Sequence, residues 1–182
     1  MNINQMLSLR NRILVTGMVT LLFWSNLFWD YFHQGVPSHY LLHREDLPKI
    51  SNWWGGLVVP IVTWYLLYRI AKRLQKKTSS MQTKKVGYGF FGALFFSLIL
   101  SFLFTQGSAI PDYMMLALFF VSFFVPLFTA EFLLGYILGM SYVFGGIIAI
   151  ASGVVLSLVF YITYKVLRAG LVYLIRKSGL KK

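Results

Sequence analysis

Long apolar segments alternate with short polar segments along this chain of 182 residues. The apolar segments at 13–32, 53–71 and 86–105 each hold about 20 residues, the length that an α-helix needs to cross the hydrocarbon of a bilayer. A polar segment at 33–52 separates the first two, and a basic segment at 72–85 separates the second and third. This pattern predicts an all-α, polytopic integral membrane protein whose whole length forms one compact transmembrane helix bundle.

The chain beyond the third apolar segment is apolar over most of its length and can be divided in two ways. The first division places helices at 113–126, 127–142 and 145–176, which completes six crossings. The second makes 113–140 a helical hairpin that re-enters from the outer side and breaks near Pro126, which leaves four full crossings. We expect six crossings. Both divisions return the C-terminal segment to the side on which the chain starts.

Composition and charge support a membrane protein and orient it. Apolar residues make up 58% of the chain and charged residues 12%, roughly half the charged fraction of an average soluble domain. The net charge is +12, and the basic residues cluster beside the apolar segments. The positive-inside rule then places both termini and the segment 72–85 in the cytoplasm, with 33–52 outside, as in a bacterial inner-membrane protein. The clusters predict contact with anionic lipids rather than with nucleic acid.

The residue inventory excludes several kinds of chemistry. The chain contains no Cys, so it forms no disulfides and offers no thiolate for catalysis or for metal binding. It also contains no P-loop, no Rossmann fingerprint and no HExxH sequence. We therefore expect no nucleotide cofactor.

Candidate metal ligands are concentrated at and just beyond the end of the first predicted helix. Asn26, Asp30 and His33 are spaced i, i+4 and i+7, which places them on one face of that helix. His39 and His43 are four residues apart, so a helical turn would present both imidazoles on one side. Imidazole and carboxylate groups suit Zn, Cu or Fe. The set Asp30, His33, His39 and His43 therefore predicts a site for a divalent transition metal at the outer face. In the metal-free alternative, Asp30 anchors the helix end and His33 bonds to it.

Glu131 is a second candidate, because a carboxylate within a long apolar stretch is costly. With six crossings it lies near a cytoplasmic turn, whereas in a re-entrant hairpin it faces the protein interior beside the break at Pro126. Together with Asn26 and Asp30, it would supply the substrate-binding or proton-coupling groups of a transporter. Asp112 is expected only to stabilise the start of a helix.

A possible packing seam is marked by Gly135 and Gly139, which have the GxxxG spacing that lets helices approach closely in membranes. We expect this seam to lie within the chain. The alternative is an interface with a second copy of the chain or with a partner subunit.

Three functions are compatible with these features. We favour a metal-binding membrane enzyme or metal-handling protein with its site at the outer face. The second is a small ion- or proton-coupled transporter that uses Glu131 and Asp30. The third is a structural or accessory subunit of a membrane complex. The pattern fits an enzyme and a protein without enzymatic activity equally well.

Overall fold

The computed structural model describes residues 8–33, 35–36, 38–40, 49–76, 80–170 and 177, and of residues 39, 40, 49, 50 and 80 it describes the backbone alone. This part of the chain holds six α-helices and one antiparallel β-hairpin. The helices are α1 (Leu9–His33), α2 (Trp53–Lys76), α3 (Ser80–Thr105), α4 (Ile110–Val121), α5 (Ala130–Phe144) and α6 (Gly146–Ile162). The hairpin pairs β1 (Ser38–Tyr40) with β2 (Lys49–Ser51). A π-helical turn, Thr163–Leu167, continues α6.

Four helices are long and apolar enough to cross a membrane, namely Leu9–His33, Trp53–Lys76, Met81–Thr105 and Gly146–Gly170. Their length and composition indicate a membrane protein, and the predicted helical class is confirmed. The other two helices, α4 and α5, have 12 and 15 residues. At the α-helical rise they are about 18 and 22 Å long, shorter than the hydrocarbon core.

Several helix ends differ from the predicted boundaries. At the basic segment, α2 continues to Lys76 and α3 begins at Ser80, because Lys, Arg and Gln are good helix formers although they are not apolar. Between α4 and α5, a turn segment covers 122–129. Pro126 lacks an amide hydrogen and disfavours the helical conformation of the residue before it. The proline therefore breaks the helix, as expected, but the break extends over several residues.

Helices α1 and α2 pack as antiparallel neighbours, with contacts near both of their ends. The guanidinium of Arg12, near the start of α1, lies over the rings of Trp64 and Tyr68 in α2. The indole of Trp24 donates a hydrogen bond of 3.0 Å to the carbonyl oxygen of Gly56. We call the end near the β-hairpin the hairpin end, and the end that holds the last turn of α2 the basic end.

The centre of the bundle is the contact between α3 and α5, which run in the same direction. Going along α5, Glu131 lies beside Gly89 of α3 and the ring of Phe144 packs against Phe104. Gly135 is buried against the backbone of Phe90. The seam containing Gly135 and Gly139 therefore lies within the chain, as expected, and both glycines are covered by α3.

At the hairpin end, a buried asparagine ties α2 to α6. The Asn52 side-chain oxygen accepts a hydrogen bond of 3.1 Å from the Gly146 amide. Gly145 has a φ of +78°, a conformation that residues with a side chain rarely adopt, and it reverses the chain between α5 and α6. A Cβ on Gly146 would meet Val59 and the backbone of Gly55 within 3 Å. The three glycines therefore permit the close approach of these helices.

Candidate functional site

The site is built at the break between α4 and α5. The Leu127 amide donates to the Val125 carbonyl oxygen across Pro126, and the chain leaves this turn through Thr129 in an extended conformation. Helix α5 then starts at Ala130, which places the only acid of its first turn, Glu131, at the basic end. Free amide groups and the helix dipole give this helix start a partial positive charge.

Glu131 forms an ion pair with Arg73 of α2. The distance between a guanidinium nitrogen of Arg73 and Oε1 of Glu131 is 2.6 Å. Glu131 is only 5% exposed, whereas the Arg73 side chain is 41% exposed. The second carboxylate oxygen, Oε2, is buried and has no hydrogen-bond partner among the described residues. Gly89 makes room for the acid, because a Cβ there would lie 3.0 Å from the Glu131 Cγ.

Four cationic side chains of α2 line a cavity of about 410 Å³ beside this pair. They follow the i, i+3, i+4, i+7 spacing of one helix face, and they are Arg69, Lys72, Arg73 and Lys76. Phe128, Thr129 and Ala130 form the opposite wall. We call this cavity the basic crevice. Because it combines several cations with a helix start, it favours an anion.

A second cavity, of about 670 Å³, adjoins the basic crevice, and we call it the inner pocket. It shares Arg73 and Thr129 with the basic crevice. Its wall includes Glu131, the cation Lys85 and the aromatic side chains of Phe132 and Tyr164. The ion pair therefore stands where two cavities meet.

The predicted outer cluster is only partly described. Asn26 and Asp30 are half-buried on α1, and His33, the last residue of that helix, is exposed. The His33 ring stacks on Trp29 at 4.0 Å, and its Nδ1 lies 2.9 Å from the Trp29 carbonyl oxygen. The hydrogen-bond partner of His33 given by the structure is thus its own helix.

The other two histidines leave the metal site a prediction. His39 lies in β1, where it pairs with Ile50, 11 residues further along the chain. A helical turn that would present His39 beside His43 therefore does not begin at His39. The side chain of His39 and the whole of His43 lie outside the described residues. Within the described ranges, no group of three or more His, Cys, Asp or Glu residues is placed to hold a metal ion.

Two further predictions can be compared with the described contacts. Asp112 lies exposed in the first turn of α4, where a helix start was expected. Asp30 and Glu131 were expected to act together, but the structure does not bring them together. Tyr31, the residue after Asp30, packs against Trp53 at one end of α2, whereas Glu131 binds Arg73, which is about 30 Å further along that helix.

Sequence reasoning missed Arg73 as the partner of Glu131. The polar composition of 72–85 predicts a basic cytoplasmic loop, but its first residues continue α2 and its last residues begin α3. The spacing of Arg69, Lys72, Arg73 and Lys76 on one helix face was the available signal. It indicates a cationic stripe, but it does not say which acid faces it.

Comparisons with protein-family models, with curated proteins and with solved structures find no match to this chain. Its functional assignment therefore rests on the geometry of the residues described above.

Proposed function

We propose that this protein is a small, proton-coupled membrane transporter for an anionic substrate, with the Glu131–Arg73 pair as its coupling element. The observation that carries the proposal is a buried acid in the wall of the inner pocket, paired with an arginine that lines both this pocket and the basic crevice. Glu131 is buried although it lies at the basic end of α5, and buried acids in apolar membrane segments are rare and serve ion pathways and proton relays. Transporter sites also form where a helix is interrupted and its free end points at an anionic substrate.

We further propose six crossings in a bacterial cytoplasmic membrane, with both termini in the cytoplasm. Two contacts support this topology. Helix α5 follows α3 in parallel from Glu131, beside Gly89, to Phe144, beside Phe104. Residues of the turn that precedes α5 line the inner pocket together with Arg73 and Lys85. A hairpin that returned at mid-membrane would not reach these cations, which belong on the cytoplasmic side.

The coupling follows from competition for Arg73. An anion that enters the basic crevice binds the half-exposed guanidinium and weakens its contact with Glu131. A buried carboxylate that loses its cation is destabilised by several kcal/mol, about the cost of breaking a buried ion pair, unless it takes up a proton. Because Oε2 has no donor among the described residues, it is the oxygen on which that proton is expected. Substrate binding and proton uptake are thereby linked.

Proton flux in liposomes tests the proposal. We would reconstitute the purified protein into vesicles of phosphatidylethanolamine and phosphatidylglycerol that enclose a pH-sensitive dye, and drive proton entry with a potassium diffusion potential. Wild-type protein is expected to acidify the lumen faster than empty vesicles, and Glu131→Gln is expected to abolish this difference. Glu45→Gln, which makes the same chemical change in the polar segment 33–52, should retain the wild-type rate.

Folding of the site without its charges is checked with a double variant. Arg73→Gln/Glu131→Gln removes both charges and leaves no unpaired ion in the site. If this double variant elutes as a monodisperse protein and transports no protons, loss of flux reflects loss of the coupling element. A wild-type flux in Glu131→Gln, or an identical loss in Glu45→Gln, would refute the proposed function.

A further inference from the structure

An apolar groove lies between α4 and the helices α3, α5 and α6. It consists of a cavity of about 160 Å³ at mid-bundle and a cavity of about 650 Å³ nearer the hairpin end. The two adjoin, because Tyr136 and Leu156 line both. Leu118 and Met115 of α4 form one wall of this apolar groove. Such a continuous apolar space favours an extended hydrocarbon group.

The apolar groove leads towards the charged site. Phe132 lines both its mid-bundle cavity and the inner pocket, which in turn shares Arg73 with the basic crevice. From Glu131 to Phe144, α5 rises by about 20 Å, which is comparable to a fatty-acyl chain of a membrane lipid. Phe104 and Val155 line the cavity nearer the hairpin end. They are 50% and 61% exposed, so the apolar groove opens at the bundle surface.

Charge complementarity identifies the polar end of the ligand. Four cations line the basic crevice, and Lys85 lines the adjoining inner pocket, against the single carboxylate of Glu131. An anionic phosphate matches this excess of positive charge, whereas a neutral lipid or a zwitterionic headgroup matches it less well. A small inorganic anion would fill the crevice and leave the apolar groove unused.

We infer that the site binds one anionic phospholipid, with its phosphate in the basic crevice and an acyl chain in the apolar groove. Anionic phospholipids are then the substrate class of the proposed transporter. As a transport substrate it therefore rests on the proposed function, but lipid binding itself is measured separately.

Native mass spectrometry of the detergent-purified protein tests lipid binding. We would add dioleoylphosphatidylglycerol or dioleoylphosphatidylcholine, which carry the same acyl chains, and measure the occupancy of the first bound lipid. We expect phosphatidylglycerol to bind at least tenfold more tightly. Lys72→Gln/Lys76→Gln should weaken it by roughly 25-fold, since each cation near an anionic lipid contributes on the order of a fivefold factor. Lys84→Gln/Lys165→Gln, which changes exposed lysines outside both cavities, should not.

The hydrocarbon end has its own matched pair of variants. Gly92 and Gly87 lie on α3, and a Cβ at either position meets no atom within 4 Å. Of these two, Gly92 lines the apolar groove. Gly92→Leu is expected to fill the groove and lower phosphatidylglycerol binding at least tenfold, whereas Gly87→Leu should bind like the wild type.

The outcomes separate a lipid site from its alternatives. Equal binding of the two lipids, or wild-type binding by both Lys72→Gln/Lys76→Gln and Gly92→Leu, would show ordinary boundary lipid and overturn the inference. Displacement of the lipid by millimolar inorganic phosphate, with no effect of Gly92→Leu, would show a small-anion site and overturn it as well. Selective lipid binding without proton flux supports the inference and refutes the transporter. Proton flux that depends on Glu131, without selective lipid binding, supports the transporter and refutes the lipid site.

Discussion

Gly135→Ala should destabilise the protein by breaking the contact between α3 and α5. A Cβ at this position would overlap the carbonyl oxygen of Phe90 and would lie 2.9 Å from the Leu94 amide nitrogen and 3.1 Å from the Ala93 Cβ. The first two are backbone atoms, which cannot move without shifting a whole helix. The substitution therefore requires the two most intimately packed helices to separate.

The expected size of this effect is a difference between two opposing terms. Overpacking of a well-packed interior costs about 1–3 kcal/mol, and backbone neighbours place Gly135 at the upper end of that range. Replacing Gly by Ala inside a helix returns up to about 1 kcal/mol of helix propensity. The net loss is therefore about 2 kcal/mol, which lowers the melting temperature of a chain of this size by about 4–8 °C.

The measurement is thermal unfolding in detergent, followed by intrinsic tryptophan fluorescence. The matched control is Gly92→Ala on α3, where a Cβ meets no atom within 4 Å and only the propensity gain applies. We expect Gly92→Ala to melt at or slightly above the wild-type temperature. A Gly135→Ala protein as stable as Gly92→Ala would refute the packing of α3 against α5 on which the site depends.

Two further predictions concern the hairpin end. Asn52→Ala removes the buried acceptor of the Gly146 amide and should lower the free energy of unfolding by about 1–3 kcal/mol in the same assay. Its control, Gln106→Ala, changes an exposed turn residue and should lower it by under about 0.5 kcal/mol. Equal stability of the two variants would contradict the hydrogen bond that ties α2 to α6. For the predicted metal site, elemental analysis of tag-free protein should find near-stoichiometric zinc, copper or iron that falls in His39→Ala/His43→Ala, and a parent protein without metal after reconstitution would contradict it.

Helix positions were the most predictable feature, because they depend on neighbouring residues. A run of about 20 apolar residues predicts a helix long enough to span a membrane. The ends of the helices were less predictable, because hydropathy measures only the preference of a side chain for lipid. The charged residue Lys76 still extends α2, since the backbone hydrogen bonds of a helix form without lipid.

Of the ion pair at the candidate site, the sequence predicted the acid but not its basic partner. Glu131 stood out because its cost in an apolar stretch is a property of the residue and its neighbours in sequence. Its partner, Arg73, is 58 residues away, and nothing local distinguishes this arginine from the other cations of its segment. In the outer cluster, a helical turn would have aligned His39 with His43, but His39 pairs with Ile50 in a strand, which local spacing could not predict.

The sequence by itself determined the helical class of this protein, the positions of its long apolar segments and the clustering of cations beside them, and it singled out Glu131 as an acid within an apolar stretch. Each of these depends on composition or on local spacing. Tertiary structure alone decided that Gly135 faces α3, that Glu131 binds Arg73, and that Arg73 lines two adjoining cavities. These features depend on contacts between segments far apart in the chain, where the fit of whole helices selects the neighbours of each residue.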